Sequence, residues 1–122
     1  MALSTFILDS RASKRLVKQT TAGTTADGDV VGKAPTIYGL QIQNTGGSAA
    51  TAYVKLYNAK SATNATIPDM NIKVDAAQTL GIQFPDGLVF ATGLSLRAAQ
   101  EADDTSGSTA PADNVSVVIL TN

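Results

Sequence analysis

T-I-Y-G-L-Q-I-Q-N, residues 36–44, alternates between apolar and polar or small side chains. In an extended chain, Tyr38, Leu40 and Ile42 share one face, and the two glutamines share the other. A glycine pair at 46–47 ends the run, as expected after a strand. The stretch therefore predicts a half-buried strand of an antiparallel sheet, with Tyr38 on the core side.

The same alternation recurs along most of the chain. Four further stretches show it, at 52–58, 69–75, 79–84 and 93–98. Residues 115–120, V-S-V-V-I-L, are apolar almost throughout, which is typical of a central strand covered on both faces. About seven short strands and no convincing long helix predict an all-β fold, an antiparallel β-sandwich of jelly-roll-like form.

Two connections carry turn signals. Residues 76–78, A-A-Q, are short enough to join neighbouring strands as a hairpin. Pro85-Asp86-Gly87 favours a turn, because Pro presets φ and Gly accepts a positive φ. The longer, irregular stretches are predicted as exposed loops, or as an inserted hairpin in the first case, at 19–32 and 99–114.

The first twenty residues allow two interpretations. Residues 6–8, F-I-L, favour a strand, whereas Ser10 could cap a short helix that runs through Gln19. We therefore predict an N-terminal arm over residues 1–20, extended or short-helical. A single β-sandwich domain over residues 21–122 follows it.

The predicted arm holds a basic cluster. Arg11, Lys14, Arg15 and Lys18 are four of the nine basic residues of the chain, and no acid interrupts them. On a helix these positions would form one face, which could bind an acidic protein surface or stay solvated. Nucleic-acid binding is disfavoured, because no aromatic residue is interleaved and the net charge is −1.

Composition argues against catalysis. The 122 residues include no Cys and no His, so disulfides, thiolate zinc sites and the usual general base are excluded. No phosphate-binding glycine motif occurs. The nearest approach to a calcium site is the pair of acidic stretches at 27–29 and 101–104, and neither has the required spacing. We expect no enzymatic activity, no metal and no cofactor.

The surface is predicted to be poor in charge. Charged residues make up 16 % of the chain, against about a quarter in an average domain. Such a surface costs little to desolvate and suits close packing against neighbours, although simple compositional drift is the alternative. No apolar run is long enough to span a membrane, and residues 1–8 lack the features of a signal peptide.

Several motifs in the second part of the chain resemble a known group of proteins. They are Y-V-K-L-Y-N at 53–58, I-P at 67–68, F-P-D-G-L at 84–88, F-A-T-G-L at 90–94 and the apolar stretch at 115–120. Residues 36–122 resemble the small β-sandwich structural proteins of tailed bacteriophages, among them capsid decoration or cement proteins. The motifs are moderately specific, and the N-terminal third carries no such likeness.

The resemblance implies a virion protein on the capsid surface. Proteins of this kind bind the major capsid protein from outside the shell, often as trimers at local symmetry axes, and stabilise the shell. We therefore predict a homotrimer that uses no nucleic acid and no membrane. The predicted contact residues are Phe6, Arg11, Lys14, Arg15 and Lys18, with Tyr53 and Tyr57 as an aromatic anchor.

Two other functions fit the same observations. The chain could belong to another part of the virion, such as the tail, the baseplate or a head fibre. It could also be a carbohydrate- or receptor-binding module that stacks a ligand on Tyr38, Tyr53 or Tyr57. Tyr38 is the weakest of these platforms, because the alternation assigns it to the core.

Overall fold

The computed structural model describes residues 3–9, 14–19, 22–32, 34–45, 50–105 and 109–122. This part of the chain contains no helix and forms eight β-strands in two antiparallel sheets, so the predicted all-β fold is confirmed. The strands are β1 (Leu3–Asp9), β2 (Lys14–Gln19), β3 (Thr36–Thr45), β4 (Ala52–Tyr57), β5 (Met70–Val74), β6 (Thr79–Val89), β7 (Ser95–Ala99) and β8 (Asn114–Thr121).

Both sheets contribute to one hydrophobic core. The larger sheet has five strands in the order β1-β2-β8-β3-β6, and the smaller has three in the order β5-β4-β7. Ile42 and Val117 of the larger sheet belong to the same buried cluster as Val54 and Leu96 of the smaller one. Each sheet has one apolar face to remove from water, so the arrangement is compatible with a β-sandwich.

A buried amide links the two sheets at one end. Asn44 near the end of β3 is only 1 % exposed. Its Nδ2 donates to the carbonyl oxygens of Ala50 at 2.8 Å and of Val74 and Asp75, both at 3.2 Å. Because Val74 is the last residue of β5, this side chain fixes the end of the smaller sheet against the larger one.

The segment 23–30 runs along the outer edge of β7. Asp27 and Leu96 exchange two backbone hydrogen bonds, of 2.8 and 3.0 Å. Two more backbone bonds flank this pair, from Val30 N to Leu94 O and from Ala98 N to Gly23 O. The predicted loop therefore continues the smaller sheet by a single bridge, and no inserted hairpin forms within its described residues.

The N-terminal segment is extended where the structure describes it. β1 pairs with β2, and β2 pairs with the central strand β8. Val17 and Gln19 are buried while Leu16 and Lys18 are half-buried, which is the alternation of a strand. The short-helix alternative is therefore wrong for residues 14–19. Ser10, its predicted cap, lies outside the described residues.

Two predicted connections differ from the structure. The turn at residues 75–78 does not close a hairpin, because β5 and β6 lie in different sheets and the chain crosses between them there. Pro85-Asp86-Gly87 lies inside β6 and does not end the strand. At residues 75–78 the local turn was readable from the sequence, whereas the destination of the next strand depended on the core.

Candidate functional site

An open groove lies on the outer face of the larger sheet, away from the shared core. Its volume is about 780 Å³, and four adjacent strands contribute to its walls, β2, β8, β3 and β6. The residues that face into it include Leu16, Tyr38, Gly39, Gly81, Val118 and Leu120.

The register of the strands builds an apolar row across this face. Leu16 lies opposite Leu120, and Leu120 lies opposite Gly39 on the next strand. Gly39 lies in turn opposite Gln83 of the edge strand β6. Two leucines thus stand beside a residue without a side chain, which leaves a depression with an apolar wall.

Glycines keep the groove open. A Cβ at Gly81 would meet nothing within 4 Å. A Cβ at Gly39 would touch the carbonyl oxygen of Ile82 at 3.6 Å and the Cβ of Leu120 at 3.8 Å, which are ordinary contact distances. Both positions could therefore carry a side chain without disturbing the sheet, and the glycines leave that space empty.

Tyr38 lines the groove because β3 is irregular at this residue. The pairing of β3 with both neighbouring strands shifts between Ile37 and Gly39, as in a β-bulge. The shift takes Tyr38 out of step with buried Leu40, and its ring lies near Gly87 of β6. The prediction that Tyr38 belongs to the core is therefore wrong. Its side chain is half-buried and reaches the groove.

The groove is uncharged. Of the described residues, those that line it include no Asp, Glu, Lys or Arg. Lys18 is close to it in register, opposite Val118, and is half-buried. Such a surface does not select a strongly acidic or basic ligand, whereas an uncharged apolar group can enter it without leaving a buried charge unpaired.

A polar cluster lies on the outer face of the smaller sheet. Lys55 of β4 is opposite Arg97 of β7, and both side chains are fully buried. Arg97 Nε donates to the hydroxyl oxygen of Tyr57 at 2.6 Å, and Lys55 Nζ donates to the carbonyl oxygen of Asp103. Burial, followed by the charge of Arg97, lowers the pKa of Lys55.

The loop between β7 and β8 covers this cluster. Asn71 on β5 donates to the carbonyl oxygen of Ala102 at 2.7 Å and to Oδ1 of Asp104 at 3.3 Å. Residues 102–105 are exposed, in line with the predicted loop at 99–114. No sequence pattern predicts that the backbone of this loop also shields Lys55.

Asp27 is the acid that burial affects most clearly. Burial raises its pKa, and the hydrogen bond donated by Gln19 Nε2 opposes that rise. Asp29 nearby has a positive φ of 50°. Within the described ranges, no group of three or more His, Cys, Asp or Glu could hold a metal ion.

Comparison with known proteins gives no relative. No family model matches the chain, and no curated protein or solved structure matches it. A search of the described residues finds no helix with the length and apolar character needed to cross a membrane.

The two predicted aromatic contacts have different environments. Tyr53 is half-buried on the outer face of the smaller sheet, whereas Tyr57 is fully buried. Tyr57 therefore cannot act as an exposed anchor in the folded chain, and that prediction is corrected. Its hydroxyl accepts a bond from Arg97, which explains its position.

The predicted helical basic face of Arg11, Lys14, Arg15 and Lys18 depended on the short-helix alternative, and residues 14–19 form strand β2 instead. Phe6 lies on β1 opposite Leu16. Arg11 lies outside the described residues, and among these five positions the structure describes the side chain of Lys18 alone.

Three groove residues were missed as candidate contacts, namely Leu16, Val118 and Leu120. The signal for two of them was present in V-S-V-V-I-L, which is apolar on both faces of a strand. The inner residues Val117 and Ile119 are buried, whereas Val118 and Leu120 are only half-buried. The pattern thus indicated that both faces of the strand are covered, and the described part of one chain does not fully cover the outer face.

Proposed function

We propose that this chain is a structural protein of a tailed-bacteriophage virion that decorates and stabilises the outer surface of the capsid. Its partner is the major capsid protein, and it acts as a homotrimer without enzymatic activity, cofactor, nucleic acid or membrane. The observation that carries the proposal is the open, uncharged face of the larger sheet, which suits a protein packed among other proteins.

The central strand β8 has one face that is still partly exposed to water. β8 has neighbours on both sides, β2 and β3, and its inner side chains are buried. Val118 and Leu120 on its other face remain partly in water. Covering apolar surface contributes about 25 cal/mol per Å², so a protein neighbour on this face gains free energy that the described part of one chain leaves unused.

The order of strand pairing supports a jelly roll. β2 pairs with β8, residues 23–30 bridge to β7, β3 pairs with β6, and β4 pairs with β5. The second strand thus pairs with the last one, and each inner pair nests within the outer one, as in one long hairpin rolled into two sheets. Jelly rolls occur in viral capsid domains, lectins and cupins, so this topology favours a virion role while leaving a lectin-like role open.

The N-terminal strands are the proposed contact with the shell. In the part of the chain that the structure describes, β1 pairs with β2 alone and forms one edge of the larger sheet. Phe6, Arg11, Lys14, Arg15 and Lys18 remain the proposed contact residues, and Phe6 lies on this edge strand. Basic residues there would steer the chain toward an acidic patch of the capsid protein.

Co-sedimentation with empty shells tests the proposal. Shells assembled from the major capsid protein of the same virus are expected to bind the purified chain. The double variant Lys14→Gln/Lys18→Gln should bind at least about tenfold more weakly, since it loses two steering charges. Lys60→Gln/Lys73→Gln removes the same charge at two exposed positions and is the matched control. Absence of wild-type binding would refute the decoration role.

One observation favours carbohydrate binding as a second candidate. Tyr38, Gln41 and Gln83 all line the groove, and a tyrosine ring beside amide groups can stack on a sugar and bond its hydroxyls. A glycan array would detect this, and Tyr38→Ala should abolish any hit. An array without hits would remove this alternative.

A further inference from the structure

Ile67 is the most exposed large apolar side chain of the described residues. It is 68 % exposed and lies with Pro68 in the connection between β4 and β5. Residues 61–68, S-A-T-N-A-T-I-P, contain no charged side chain. We refer to Ile67-Pro68 as the knob. An apolar projection on an uncharged loop is a feature that a binding partner can cover.

The knob is held on an ordered loop. Thr66 N donates to Thr63 O at 3.1 Å, and Thr63 N donates to Thr66 Oγ1 at 3.1 Å. At the far end, Asp69 N donates to Leu56 O at 2.9 Å, and Asp69 Oδ2 accepts from Asn58 N at 2.6 Å. These hydrogen bonds order the loop in the free chain, which lowers the entropic cost of binding the knob to a partner.

The knob and the groove match in chemistry. The groove is uncharged and its lining is mainly apolar, and its volume is about 780 Å³. The position of Gly81 leaves room on its floor. A charged segment would lose the hydration of its charge on entering this groove, whereas an Ile-Pro loop would bury no charge.

We propose that the knob of one copy inserts into the groove of a second copy of this chain. Every copy carries both surfaces, and they are different parts of the molecule, so the contact is heterologous. Repetition of a heterologous contact closes a ring if the rotation allows it. This inference deepens the proposed function, because it names the contact that joins the subunits, and it rests on that function for the ring size alone.

Cysteine cross-linking tests the contact directly, because the chain has no native Cys. Ile67→Cys and Gly81→Cys are purified separately, mixed, allowed to exchange subunits, and oxidised with diamide. The mixture should form a disulfide-linked heterodimer far more efficiently than either variant alone. Val89→Cys mixed with Gly81→Cys is the matched control, since Val89 is also highly exposed, at 64 %. Equal yields in the two mixtures would overturn the proposal.

Light scattering supplies the second test. Ile67→Asp removes the knob and Gly81→Trp fills the groove, and each variant alone should have the mass of a monomer. Their mixture should give a dimer, because one intact knob meets one intact groove. A mixture that stays monomeric would overturn the proposal, as would a wild-type chain that is monomeric at about 1 mM or variants with wild-type mass.

Both variants change positions that are exposed or spatially open, so they should keep the wild-type circular dichroism spectrum and melting temperature. The outcome is separable from that of the shell-binding experiment. A monomeric chain that binds shells would refute the knob contact and the homotrimer, but not the binding to the capsid. A chain that forms knob-dependent oligomers and ignores shells would refute the decoration role alone.

Discussion

Lys55 and Arg97 face each other on neighbouring strands of the smaller sheet, and neither side chain reaches solvent. Two adjacent cations repel each other, and burial removes their hydration. The Tyr57 hydroxyl and the Asp103 carbonyl compensate by accepting hydrogen bonds from them. The loop that follows β7 thus shields Lys55 on the outer face of the smaller sheet.

The Tyr57 hydroxyl should contribute measurably to stability. Tyr57→Phe removes one hydrogen-bond acceptor from the buried Arg97 guanidinium, so the free energy of unfolding should fall by about 1–3 kcal/mol. Tyr53→Phe changes a half-buried tyrosine on the same face and should cost less than about 0.5 kcal/mol. Urea denaturation of both variants measures the difference. Equal losses would show that the Arg97 bond is unimportant.

Stability should depend on the titration of Lys55. Its pKa in the folded chain lies below the ordinary value of 10.5, chiefly because of burial. Between the folded value and 10.5 the unfolded chain binds more protons, so the free energy of unfolding should rise with pH in that window. Below the folded pKa, Lys55 is protonated in both the folded and the unfolded chain, and burial of its charge lowers the free energy of unfolding by its full amount.

Lys55→Met isolates this effect, because it removes the titrating group and keeps a long side chain. The difference in unfolding free energy between wild type and variant should shift in favour of wild type as the pH rises toward 10.5. Urea titrations at several alkaline pH values measure it. A difference that stays constant with pH would contradict the buried environment of Lys55.

Gly87 should be intolerant of a side chain. Its φ is +83°, and a Cβ there would lie 2.5 Å from Cγ2 of Thr36. Gly87→Ala should therefore lower the free energy of unfolding by about 1–3 kcal/mol. Gly81→Ala is the control on the same strand, and it should be neutral or stabilising by up to about 1 kcal/mol. Thermal denaturation of the pair gives the comparison, and a neutral Gly87→Ala would contradict the bulged geometry at Tyr38.

Strand positions were largely predictable because alternation is a local property. The alternating stretches at 36–44, 52–58 and 69–75 became β3, β4 and β5. The sheet to which each strand belongs could not be predicted from its nearby residues. The turn at 75–78 could serve a hairpin or a crossing between sheets, and the packing of β5 against β4 decided between them.

The candidate site was harder to predict. Lys55 and Arg97 alternate with apolar residues, which in an isolated strand would place them in solvent. Lys55 is shielded by the backbone of Asp103, which is distant in sequence from β4. The bulge that moves Tyr38 into the groove likewise depends on the neighbouring strands β6 and β8. The open outer face of β8 was the exception, since its apolar pattern already indicated a partner.

Cryo-electron microscopy of the intact virion tests the central claim most directly. We expect density for this two-sheet domain at repeated sites on the outside of the shell. The groove lined by Leu16 and Val118 should be occupied there by the Ile67 loop of an adjacent copy. A virion whose shell lacks this domain, or one that displays it with the groove open to solvent, would contradict the account.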